Sequence, residues 1–144
     1  MSTNSAKAKE LLGSKGISPT AQRLSVLSFL LGTRQHPTID EVYSSVKKTI
    51  PTISKTTLYN TLELFVEKGL AGKVNINPSM VRFDGFIDPH HHFLCERCGK
   101  LLDIMIKCPN AELGCVAGHK IRLVHGYFYG TCKDCLKRER RNKK

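Results

Sequence analysis

DGFIDPHHHFLCERCGKLLD, residues Asp84–Asp103, decides how the chain reads. It crowds three histidines, three aspartates and a Cys-x-x-Cys pair, Cys95 and Cys98, into twenty positions. A second pair with the same spacing, Cys132 and Cys135, follows after 33 intervening residues. Two such pairs are the ligand set of a closed tetrahedral zinc site, because four thiolates fill the shell and leave no position for substrate. The bland alternative is reduced structural or redox cysteines. The interval is longer than in a minimal zinc ribbon, so a small sheet is expected between the two pairs.

The histidines beside the first pair point to a different metal. In an extended strand side chains alternate, so His90 and His92 share one face and His91 takes the other. Asp103 lies on the next apolar segment, Leu101–Ile106, which is expected to run back beside Phe93-Leu94. Asp84 ends a preceding strand. Two imidazoles with two carboxylates form a mixed N/O set suited to Fe(II) or Mn(II). Spacing alone leaves a solvated histidine-rich loop with incidental aspartates equally open.

Upstream, the pattern is helical. Residues 5–15 suit a short helix ending at Gly16. Ser18-Pro19 is expected to open a second, with Ser18 as N-cap and Leu24, Leu27, Leu30 and Leu31 as its apolar stripe. Thr38 and Glu41 have capping-box spacing, followed by Ile39, Val42, Val46 and Ile50 on one face and a stop at Pro51. Ser54 caps a further helix running to Lys68, with Gly69 as its C-terminal stop. Its core face is Leu58, Leu62, Phe65 and Val66. Its opposite side shows Lys55, Thr56, Tyr59, Asn60 and Glu63, which fits a recognition helix entering the major groove. Asn60 can read adenine edges, and Lys55 and Tyr59 can hold phosphates. An ordinary wet helix face is the competing reading. Val74 and Ile76, then Asn77-Pro78-Ser79, then Val81 and Phe83 alternate around a turn, which is a hairpin. Three helices followed by a hairpin make a winged helix.

Downstream, a helix around Pro109–Gly118 and a strand over Lys120–Tyr129 are expected, although Gly114 and Gly118 weaken the helix. Residues 136–144 carry six Lys/Arg against Glu139 and are expected to form a disordered basic tail. The domain reading is therefore 1–84 winged helix, 85–88 hinge, 89–135 dimerisation and metal binding, and 136–144 tail. The fold class is α+β: an N-terminal winged helix-turn-helix, then a small α/β dimerisation domain with a four-cysteine zinc site.

A net charge of +11 in 144 residues suggests a polyanionic partner, nucleic acid first. No segment approaches the roughly 20 apolar residues of a membrane span. The N-terminus lacks the apolar core of a secretory signal. Six cysteines without such a signal imply a reducing, cytoplasmic setting. Cys108 and Cys115 are expected as free thiols, with an accessory redox pair or metal site as the other reading. His119 and His125 are expected at the surface or packed on strands, with an additional metal site as the other reading.

With these pieces placed, the chain resembles the ferric uptake regulator family over nearly its whole length. The supporting motifs are Pro19-Thr20-x-x-Arg23, His36-Pro37-Thr38, Asp40-Glu41-Val42-Tyr43, Ser54-x-Thr56-Thr57-Leu58-Tyr59-Asn60, His90-x-His92, Cys95-x-x-Cys98-Gly99-Lys100 and Tyr129-Gly130-x-Cys132-x-x-Cys135. The resemblance implies a homodimer and metal-dependent repression of an inverted-repeat operator in double-stranded DNA, with Arg23 among the DNA-contacting residues. Within the family the chain looks most like the peroxide-sensing (PerR-type) repressors, whose regulatory metal site matches His36, Asp84, His90, His92 and Asp103. Asp103 and Asn60 favour that branch, because iron-uptake repressors usually carry glutamate and arginine there.

The resemblance further implies structural Zn2+ and regulatory Fe2+ or Mn2+. One regulatory ion would set the angle between the two halves. Oxidation of His36 or His90 would release the DNA. Such a one-shot sensor is not an enzyme. Three alternatives remain: an iron, manganese or zinc uptake regulator that ignores peroxide, a zinc-ribbon enzyme or redox protein using Cys108 and Cys115 as its dithiol, and a zinc module serving only protein contacts.

Overall fold

A computed structural model describes residues 3–77, 79–86, 90–106, 114–121, 124 and 126–143. The chain divides into two units, Met1–Asp88 and Pro89–Lys144.

The first unit opens with α1 (Thr3–Ser14), which buries Ala8 and Leu12. Next comes α2 (Ala21–Leu31), which starts two residues later than Ser18-Pro19 suggests. Its N-cap is Thr20, not Ser18: the Thr20 hydroxyl accepts from the Arg23 N–H at 3.3 Å. Ser18 serves differently, its carbonyl accepting from the Thr20 N–H and the Arg23 guanidinium. Helix α3 (Ile39–Thr49) carries the full capping box, with the Thr38 N–H donating to Glu41 Oε2 at 2.7 Å. Helix α4 (Lys55–Glu67) is capped by Ser54, whose Oγ accepts from the Thr57 N–H at 3.1 Å. Gly69, at φ 73°, turns the chain out of α4, a conformation glycine adopts without steric cost.

These helices share one core. Leu58, Leu62 and Phe65 of α4 are fully buried with Val26, Leu27 and Leu30 of α2 and Val42 and Val46 of α3. Each such side chain contributes about 1.5–3 kcal/mol by leaving water. Strands β1 (Gly72–Val74) and β2 (Arg82–Asp84) pair antiparallel, with Gly72 opposite Asp84. Helices α2 to α4 with this hairpin form the winged helix. Behind β2, Gly85 lies so close to α2 that a Cβ would stand 2.5 Å from the Leu30 carbonyl oxygen.

The second unit holds a three-stranded sheet of order β4-β3-β7. Strand β3 (His91–Cys95) pairs antiparallel with β4 (Leu101–Ile104), so His92 faces Asp103 and Phe93 faces Leu102. On its other side β3 runs parallel to β7 (Tyr127–Gly130), with Cys95 beside Gly130. The segment expected as helix Pro109–Gly118 is corrected where it is described. Strands β5 (Cys115–Val116) and β6 (His119–Lys120) form a hairpin around Ala117 and Gly118, at φ 50° and 80°. Two consecutive residues at positive φ suit a tight hairpin and cannot continue a helix. Residues 109–113, Cys108 and His125 lie outside the described residues.

The strand expected over Lys120–Tyr129 is likewise corrected. Lys120 belongs to β6 and Tyr127–Tyr129 to β7, with no strand at 121, 124 or 126. The basic terminus expected as disordered is instead helix α5 (Lys133–Asn142). Its first turn contains the buried Cys135, and an Arg97–Glu139 ion pair ties down its middle. No helix among the described residues is long and apolar enough to cross a membrane.

Candidate metal centres and nucleic-acid face

The parallel pairing of β3 with β7 brings the two Cys-x-x-Cys pairs together. Cys95 Sγ lies 3.9 Å from Cys135 Sγ, and Cys98 Sγ lies 3.9 Å from Cys132 Sγ. A tetrahedron with Zn–S bonds near 2.3 Å has sulfur–sulfur edges of about 3.8 Å, so the cluster fits zinc. Cys95, Cys132 and Cys135 are buried while Cys98 is exposed.

The backbone prepares the first thiolate. The N–H of Cys98 and, next, the N–H of Cys132 donate to the Cys95 sulfur, which lowers its pKa to about 6. Cys135 is pushed up to about 12, chiefly by the Cys132 side chain and by burial. Four crowded sulfurs cannot all carry charge without a cation between them. A divalent ion removes that conflict.

The histidine donors form one group within each unit. In the second unit, His90 Nε2 lies 3.2 Å from His92 Nε2, while Asp103 Oδ1 lies 3.3 Å from the first and 3.7 Å from the second. This triangle has a centre about 2 Å from all three atoms, matching bond lengths of about 2.0–2.2 Å to imidazole nitrogen and carboxylate oxygen. Two histidines and one carboxylate on one face form the ligand set of non-haem Fe(II) sites with open positions. The β3/β4 register produces it, because His92 sits directly opposite Asp103. His91 points the other way. Its ring meets Phe128 edge-on at 5.8 Å and lies against Gly126, where a Cβ has no room.

In the first unit, His36 Nε2 lies 3.6 Å from Asp84 Oδ2. The other carboxylate oxygen, Asp84 Oδ1, accepts from the Phe86 N–H at 2.8 Å, which aims Oδ2. His36 is held through its own backbone: Arg82 of β2 donates to the His36 carbonyl at 2.9 Å, and the Phe83 N–H donates to the Pro37 carbonyl at 2.9 Å. The loop before α3 is thus laced to the strand bearing Asp84. His36 itself has φ 51°, sparsely populated for a residue with a side chain, and such strain concentrates at ligand sites.

The candidate nucleic-acid face also has a definite shape. Lys55, Thr56, Tyr59 and Asn60 are exposed on α4. Lys55 pairs with Asp40 at 2.9 Å, which raises its pKa first through that hydrogen bond. Glu63 pairs with Lys73 of β1 at 2.8 Å. Between the start of α2 and α4 runs a crevice of about 260 Å3, lined by Gln22, Arg23, Thr57 and Asn60 among others. Packing adds Gln22 to this face, because only the α2–α4 contact places it beside Asn60, whereas Thr57 already lies one helical turn before Asn60 on α4.

Comparison with known proteins agrees with this architecture. The profile of the Ferric uptake regulator family matches residues 14–125. The peroxide operon regulator of Bacillus subtilis (strain 168) is 33% identical over 138 residues, covering 92% of this chain and 94% of its own. The crystal structure of the Campylobacter jejuni peroxide stress regulator superposes with a TM-score of 0.67 at 28% identity, covering 94% of this chain and 100% of that one. The ferric uptake regulator of Pseudomonas aeruginosa, solved with manganese, has a TM-score of 0.72 at 20% identity over 88% of this chain and 98% of that one, a likeness of fold alone.

Proposed function

The chain belongs to the ferric uptake regulator family, and from that premise we propose that it is a cytoplasmic, homodimeric, metal-dependent repressor that senses peroxide. The observation that carries this reading is the His90–His92–Asp103 triangle, a two-histidine, one-carboxylate set sized for Fe(II) or Mn(II). The names of relatives such as the Bacillus subtilis peroxide operon regulator favour the same branch.

On this reading Cys95, Cys98, Cys132 and Cys135 hold structural Zn2+. His36 and Asp84 join His90, His92 and Asp103 around one regulatory ion, so both units share a ligand shell. In a two-fold dimer the recognition helices must sit about 34 Å apart, one DNA turn, and a shared ion removes the freedom that would otherwise oppose binding. Arg23, Lys55, Thr56, Tyr59 and Asn60 face the operator duplex. Fe(II) held there supplies the one-electron chemistry that makes peroxide an oxidant of an adjacent imidazole. His36 and His90 are the ring candidates; an oxidised ring binds metal poorly, and the donor set loses the grip that orders the units. Asp103 contributes the carboxylate, and the longer side chain of Glu would shift its oxygen out of the triangle.

The test exposes Fe-loaded protein to peroxide and follows operator binding together with the mass of the peptides containing His36 and His90. Gain of one oxygen atom on either peptide with loss of binding is expected, and Asp103→Glu should blunt both. If peroxide leaves binding intact while chelation abolishes it, the chain is instead an iron, manganese or zinc uptake regulator that reads metal level alone.

A further inference from the structure

Helix α5 carries charge for which the metal centres have no use. Lys133, Lys137, Arg140 and Arg141 fall at i, i+4, i+7 and i+8 and so share one stripe. Cys135 and Glu139 define the opposite side: Cys135 is buried in the four-cysteine cluster and Glu139 pairs with Arg97. The helix is therefore docked by one face and presents its cations on the other. All four are exposed, as is Arg138, and none forms an ion pair among the described residues. Glu139 is already engaged with Arg97, which leaves Asp134 as the other acid on the helix.

Isolated, such a sequence is a poor helix, since Lys133 and Lys137, and Lys137 and Arg141, are like-charge neighbours. It is helical here because Cys132 occupies the N-cap and Cys135 the first turn, so the four-cysteine cluster holds its start. The arrangement keeps four cations in fixed order instead of leaving them on a floppy tail. From Lys133 to Arg141 the stripe is about 12 Å long, the axial span of roughly three to four phosphates of one strand.

We propose that the Lys133–Lys137–Arg140–Arg141 stripe of α5 is a second DNA-contacting surface, gripping phosphates without reading sequence. This rests on the reading that the chain binds duplex DNA. Charge complementarity identifies the partner. Three of the cations of α5 are arginines, whose forked guanidinium groups match phosphate oxygens, and Leu136 is its one exposed large apolar residue among those described. An anionic membrane surface would need a broader apolar face than that. A helix already tethered to a DNA-bound protein also meets the backbone at high local concentration.

The experiment compares zinc-loaded, full-length protein with a variant carrying Lys133→Gln, Lys137→Gln, Arg140→Gln and Arg141→Gln. Affinity for a random-sequence duplex of about 30 base pairs is followed as a function of salt. The slope of log affinity against log salt should become shallower by about 0.9 for each phosphate no longer neutralised, roughly 2 to 4 per protomer. Zinc content and helical signal should be retained. A second variant, Lys133→Arg with Lys137→Arg, keeps the charge and should keep the slope. An unchanged slope in the glutamine variant overturns the proposal, as does an equal flattening in the arginine variant. Binding of the unaltered protein to vesicles of phosphatidylserine and phosphatidylcholine, with no change of DNA slope in the glutamine variant, overturns it in favour of a membrane surface. If the unaltered, metal-loaded protein binds no duplex at all, it is the DNA-binding reading itself that fails.

Discussion

The two units are held together by different means. In the first, fifteen buried residues from Ala8 to Phe83 form one apolar cluster among those described, contributed by every helix of the unit and by β2. In the second, the buried cluster among the described residues consists of Cys95, Cys132 and Cys135, with Phe93 and Leu102 packed against it. A winged helix of this size stabilises itself by removing hydrocarbon from water. A short three-stranded sheet with thiols at its centre cannot, and small domains of that kind depend on a metal or a cross-link. The first unit should therefore keep its structure in the absence of any ion, whereas the second should not.

Removal of the ion proposed for the four-cysteine cluster tests that contrast most severely. Structural zinc supplies about 10–16 kcal/mol in small metal-folded domains. Stripping it under reducing conditions should abolish hydrogen-exchange protection in β3, β7 and α5 while α2 to α4 stay protected. Loss of protection in both units together would break the comparison. Next in size is Phe65→Ala, which empties the centre of the apolar cluster. It should destabilise the first unit by about 3–5 kcal/mol, read from denaturant unfolding, and leave zinc content unchanged.

A smaller effect is expected from Gly85→Ala, where the new methyl group meets the Leu30 carbonyl. About 1–3 kcal/mol of overpacking should appear as displaced amide resonances in α2 and β2, with the second unit silent. Smallest of all is Lys73→Ala. It removes a partly exposed pair with Glu63 and should shift stability by less than about 1 kcal/mol.

Much of the first unit is legible residue by residue because its signals are local. The Thr38–Glu41 capping box, the Leu58–Leu62–Phe65 stripe and the Gly69 stop each operate within one or two helical turns, and each appears as expected. The misreadings lie where a local preference is overruled by an interaction elsewhere. Ser18-Pro19 is a good helix start in isolation, yet Thr20 takes the cap and the Ser18 carbonyl is committed to the Arg23 guanidinium. The basic run after Cys135 looks like a solvated tail, yet a cysteine at each end of its first turn is tied to the sulfur cluster and the run becomes α5. The glycines at 114 and 118 correctly count against a helix there, and the described part is a two-residue turn between short strands.

By itself, the sequence determined the chemistry of the donors: thiols in two spaced pairs, imidazoles alternating on a strand, and carboxylates near them. Those features depend on spacings of two to four residues, which backbone geometry converts directly into shared faces. Only the tertiary structure decided which donors meet. The parallel register of β3 with β7 closes the sulfur tetrahedron, the pairing of His92 with Asp103 closes the mixed triangle, and the lacing of the His36 loop to β2 sets His36 beside Asp84. These are contacts between segments remote in the chain, and their register is set by packing and hydrogen bonding across the whole unit, which no short window of residues encodes.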